Sequence, residues 1–114
     1  KIMDKIISKV AALGVPGLIL VVAIAASGLS GAAAITVALA ALGPGGIIGG
    51  IATLGVCGLL VQGLTEFGFD AIFTGVVKEL MKKGETKASI LEKIEKYPVS
   101  KSLKRKLREE LDKM

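Results

Sequence analysis

Ile2, Met3, Ile6, Ile7, Val10 and Leu13 fall on one helical stripe, with Asp4, Lys5 and Lys9 on the opposite side. That spacing predicts a short amphipathic helix. The patterning then stops: from Val10 to Thr65 the chain runs for fifty-six residues without an Asp, Glu, Lys or Arg. Within this block Gly14 suits a helix C-cap, and Pro16 can open the next helix because a first turn does not need its N–H. The run GLILVVAIAAS ends before Gly28, and Ser30 can cap AAAITVALAAL, which stops at Gly43 and Pro44. Gly45 and Gly46 lead into IIGGIATLGVCGLLVQGL, and the GPGG at 43–46 is the strongest turn signal in the chain.

Polar and apolar positions alternate again after the block. Thr65 is a candidate N-cap for a helix whose stripe is Phe69, Ile72, Phe73, Val76 and Leu80, while Glu66, Asp70, Thr74, Lys78 and Lys82 recur every four residues on the other side. This is an interfacial helix or an ordinary packing helix. Gly84 breaks it. Thr86 then caps a run through Ile90, Leu91 and Ile94, Tyr97-Pro98-Val99 turns, and Ser100 caps a last helix with Leu103, Leu107 and Leu111 at four-residue spacing. The apolar stripe of this charged hairpin is narrow, so it should dock on something else or pair with a copy of itself.

The fold class expected is all-α. Its segments are an amphipathic helix at 1–13, a Gly/Ala-rich apolar region at 14–64, a second amphipathic helix at 65–83 and a charged helical hairpin at 84–114. The apolar region reads either as a helical hairpin or as three short helices. A bilayer-spanning helix needs about 20 residues. Val10–Ser27 and Ile47–Leu64 have eighteen each and just reach, whereas the eleven residues of Ala32–Leu42 cannot span alone. A hairpin whose first arm runs on through the Ser27–Gly31 break would place both basic flanks on one side, as the positive-inside tendency favours.

Charge sharpens this picture. The net charge of +5 divides into +2 over Lys1–Lys9 and +3 over Glu66–Met114, so two basic flanks bracket a neutral middle. Such flanks suit an anionic lipid surface. Lys rather than Met at position 1 suggests that upstream sequence was trimmed or is not counted in these 114 residues. The basic start, the apolar run and Ala23-Ile24-Ala25 imitate a secretory signal, but the apolar character continues for forty residues beyond that point, so an inserted segment is expected rather than a cleaved one. A single cysteine, Cys57, excludes an intramolecular disulfide.

The candidate interaction residues follow from the same patterning. Gly45, Gly46, Gly49, Gly50 and Gly58 present small faces that let helix backbones approach closely in lipid, with Gly43 and Pro44 as the turn before them. The plainer reading is packing within one subunit. In the last helix Lys101, Lys104, Arg105, Lys106 and Arg108 precede Glu109, Glu110 and Asp112, an order that opposes the helix dipole. These basic residues could meet an anionic lipid surface or an acidic partner, or form a solvated face. Nucleic acid fits less well, because the tail is mildly basic and Tyr97 is its one aromatic residue.

Catalysis has little to stand on, since the chain has no histidine and no serine or threonine with a visible base. The protein is expected not to be an enzyme and to need no cofactor, metal or small-molecule substrate. Gly43, Gly45 and Gly46 do not form a phosphate loop, because no Lys-Ser or Lys-Thr follows. Glu66 and Asp70 form the one carboxylate pair expected on a single helical face, a possible polar path at the edge of the apolar half.

The stretch GLSGAAAITVALAALGPGGIIGGIATLGVCGLL, Gly28 to Leu60, resembles the glycine- and alanine-rich repeats of the interferon-inducible small membrane protein family. Most of the resemblance lies in GG-x-x-GG-x-A-T-L, Gly45 to Leu54; the long charged tail departs from that family. The resemblance implies a small hydrophobic protein of internal membranes. In architecture the chain is also similar to the membrane-inserting hairpins of pore-forming bacteriocins. The expected function is therefore membrane insertion with self-association as a homo-oligomer, extending to pore formation or permeabilisation. The alternative is a water-soluble helical oligomer or protein-binding module whose apolar half forms a shared core.

Overall fold

The computed structural model describes residues 2–26, 28, 50–97 and 99–114, among which there are six helices and no strand. Helix α1 (Ile2–Ala11) buries Ile6, Ile7 and Val10, the middle of the expected stripe, together with Ala11, while Met3 and Leu13 are partly buried and Ile2 stays exposed. Its last turn closes through Leu13 N–H to the Val10 carbonyl at 3.1 Å and Gly14 N–H to the Ala11 carbonyl at 2.9 Å. Gly14 then takes φ 76°, a conformation cheap only for glycine, and Pro16 lies in the first turn of α2 (Val15–Ala26). The two helices meet at 118°. The stretch 10–26 is therefore not a straight rod.

Helix α3 (Gly50–Phe67) and α4 (Phe69–Lys82) are separated by one residue, Gly68, at φ 89°. This corrects the expectation that Thr65 caps a helix. Thr65 lies inside α3, and its hydroxyl donates to the Val61 carbonyl at 2.8 Å, a back-bond that helix-interior threonines make. The break falls where a glycine permits left-handed φ, so α4 starts without a side-chain cap. At its other end Gly84 N–H reaches the Met81 carbonyl at 3.0 Å and Glu85 N–H the Leu80 carbonyl at 3.1 Å, with Gly84 at φ 104°, which is a Schellman closure.

The last two helices begin where their caps predict. Thr86 and Ser89 form a reciprocal capping box at the head of α5 (Lys87–Lys96), and the Ser100 hydroxyl accepts from Leu103 N–H at the head of α6 (Lys101–Asp112).

Helix α2 is the centre of the fold. Nine of its twelve residues are buried, and it packs against all five other described helices. An apolar helix without a polar face requires this, since every side would otherwise meet water. The hairpin of α5 and α6 supplies part of the cover: Ile90, Ile94, Leu103, Leu107 and Leu111 are buried in the same core as Leu18–Ile24. Its narrow stripe thus docks on the chain's own apolar helix.

Candidate functional site

Among the described residues, the glycines that bring helices close together are Gly17, Gly63 and Gly75. A Cβ on Gly17 would overlap the Val10 carbonyl oxygen, and one on Gly75 would overlap the Ile7 side chain. At Gly63 a Cβ would stand 3.1 Å from Ile72 Cδ1 and 3.3 Å from Ile6. None of the three belongs to a repeated glycine motif, so nothing local in the sequence marks them. Gly58, by contrast, is exposed, with nothing within 4 Å of an added Cβ. Gly50 opens α3, while Gly45, Gly46, Gly49 and the turn at Gly43 and Pro44 lie outside the described residues.

Glu66 and Asp70 are both exposed but do not share a helical face. Glu66 lies at the end of α3 and Asp70 in the first turn of α4, on either side of the Gly68 break.

The basic residues of α6 divide by partner. Lys104 donates to the Glu95 carbonyl at 2.9 Å and lies 4.0 Å from its carboxylate, which also accepts from Arg108. Glu95 stands in the last turn of α5, where helix carbonyls lack intrahelical donors. The charge order that opposes the dipole of α6 therefore closes the end of α5. Lys106 lies 3.6 Å from Glu110, whereas Lys101 and Arg105 are exposed and have no ion pair among the described residues.

Glu110 itself is 7% exposed, although a charged residue in the last helix would ordinarily face water. Lys106 and Lys113, at 3.6 and 3.2 Å, flank its carboxylate. Together with Val22, Ala25, Ala26 and Phe69, the Lys106 and Glu110 side chains line an open, mainly apolar cleft of about 220 Å³ at the C-terminal end of α2. Phe69 stacks on Phe73 there, with ring centres 5.3 Å apart.

A second polar cluster fastens the α4–α5 turn. Glu85 accepts from Lys93 and, at 2.6 Å, from the Ser89 hydroxyl. The hydrogen bond from Lys93, then that from Ser89, holds the Glu85 carboxyl below its ordinary range. The serine is thus committed to capping.

No family model matches the chain, and no curated protein or solved structure is significantly similar to it.

Proposed function

We propose that this protein is a small membrane-inserting helical protein that self-associates, and that bilayer permeabilisation is the activity this gives it. The observation that carries the reading is α2. It is apolar around its whole circumference and wrapped by the other described helices of the same chain, of which α1, α4, α5 and α6 are amphipathic and α3 is itself apolar. Such a helix must be enclosed by protein or by lipid, and amphipathic covers are the elements that can exchange one enclosure for the other.

Sequence chemistry supports the same reading. Residues 27–49, which follow α2, carry no charge, and both flanks of the apolar block are basic. The resemblance of Gly28–Leu60 to a membrane protein family points the same way. Among the described helices none is long and apolar enough to cross a membrane alone, and the bent pair α1–α2 passes only by joint length and composition. Insertion on this reading proceeds by several helices together, or by opening of the bend.

Flotation with anionic vesicles, followed by release of a trapped dye, tests the proposal. Flotation with leakage is the expected result, and flotation without leakage would reduce the activity to membrane scaffolding. The second reading is a water-soluble helical module, favoured by the nine α2 residues already buried within the chain. It prevails if the purified protein stays in detergent-free buffer as a defined assembly and ignores vesicles.

A further inference from the structure

The outer face of α6 carries four exposed charges, Lys101, Arg105, Glu109 and Asp112, none with an ion pair among the described residues. Their neighbours on the flanks of the helix are engaged: Lys104 and Arg108 on Glu95, Lys106 and Lys113 on Glu110. At about 100° per residue the four fall within roughly 80° of one another, opposite buried Leu103 and Leu107. The stripe is basic in its first half and acidic in its second. That order works against the dipole of α6, and for these four residues no ion pair among the described residues accounts for it.

A stripe of this kind complements itself when reversed. If a second copy lies antiparallel across a twofold axis, Lys101 faces the other copy's Asp112 and Arg105 the other copy's Glu109. The two pairs centre within about half a residue of each other, between Lys106 and Leu107, an offset of under about 1 Å along the axis that long side chains absorb, so one register serves all four contacts. Isologous pairing requires this reciprocity. An anionic bilayer would attract the first half of the stripe and repel the second, and a basic or acidic partner would likewise match only half. From these positions we infer that the outer face of α6 is a homodimerisation surface that pairs two copies antiparallel through Lys101–Asp112 and Arg105–Glu109. The inference is independent of whether the apolar block enters a bilayer.

Charge reversal tests it with the full chain. One variant carries Lys101→Glu and Arg105→Glu, giving an all-acidic stripe; the other carries Glu109→Lys and Asp112→Lys, giving an all-basic one. All four positions are exposed, and circular dichroism checks that helicity is kept. Sedimentation at about 50 mM salt should show the wild type self-associating, with dissociation toward about 500 mM as the charges are screened. Each variant alone should associate at least ~10-fold more weakly, because four attractive contacts become repulsive. An equimolar mixture of the two should recover association, and Lys101→Arg with Asp112→Glu should retain it. A wild type that stays monomeric at low salt, a reversed variant that associates like the wild type, or a mixture that fails to recover would each overturn the inference.

Discussion

Gly17 of α2 rests on the backbone carbonyl of Val10, so closely that a Cβ would overlap the oxygen and stand 3.2 Å from Val10 Cγ1. This contact joins α1 to α2 across the 118° corner. It sets backbone against backbone, and no side chain can turn aside to relieve an added methyl.

Gly17→Ala should therefore destabilise the protein. Alanine gains about 1 kcal/mol of helix propensity, but overpacking a fixed backbone costs about 2–3 kcal/mol. The net loss of about 1–2 kcal/mol should lower the melting temperature by roughly 5–10 °C. An unchanged or raised melting temperature would mean that the corner is not packed in this way.

Gly58→Ala should do the reverse to the monomer. The position is helical and exposed with open space around it, so the substitution should stabilise by about 0.5–1 kcal/mol. If Gly58 belongs to the small-residue assembly face, the same change should weaken self-association. Denaturation midpoints and sedimentation measured on one sample separate the two effects. Unchanged association would remove Gly58 from that face.

Glu110→Leu should stabilise by about 1 kcal/mol. The carboxylate is buried beside Val22, Ala25 and Phe69, where an apolar side chain avoids the desolvation of a charge. Its partners Lys106 and Lys113 have side chains 52% and 69% exposed, so they return to water at little cost. A substantially lower denaturation midpoint in the variant would show that Glu110 makes a net favourable contribution to folding.

Glu85 links stability to pH. Its carboxyl titrates below its ordinary value in the folded state, so the contribution is present above the unfolded value and disappears as pH falls through the folded one. Glu85→Gln should thus be less stable than the wild type near neutral pH and equal to it in strong acid. High salt should shrink the difference, because the Lys93 partner is half-exposed. Melting curves across the acid range check this, and a pH-independent difference would contradict it.

The elements legible in the sequence were those set by neighbours a few residues apart. Thr86 and Ser100 cap their helices because a hydroxyl needs only the backbone N–H three positions on. The Leu103, Leu107, Leu111 stripe is buried as its spacing requires, and so is the Phe69, Ile72, Phe73, Val76, Leu80 stripe except for its first residue, Phe69, which is partly exposed. Thr65 misled because threonine serves equally as a cap and as a back-bonded interior residue. Gly68, one residue between two phenylalanines, carried the actual break.

The candidate site was less legible, since its features depend on residues distant in the chain. Lys104 and Arg108 meet Glu95, and Glu110 sinks against the end of α2, only because α6 folds back over α5 and α2. Gly17, Gly63 and Gly75 matter through the residues they face, which spacing within one helix cannot name.

By itself, the sequence determined that the described residues are helical, where several of their helices begin and end, and that the wholly apolar run of α2 must be hidden from water. Those properties follow from backbone hydrogen bonding, capping and hydrophobicity, all local to the chain. Tertiary structure decided what hides α2: the other described helices of the same protein, four amphipathic and one apolar, folded around it after a sharp corner at Gly14. Burial is non-directional, so a sequence can demand enclosure, but only the packing of named faces against one another selects what encloses it.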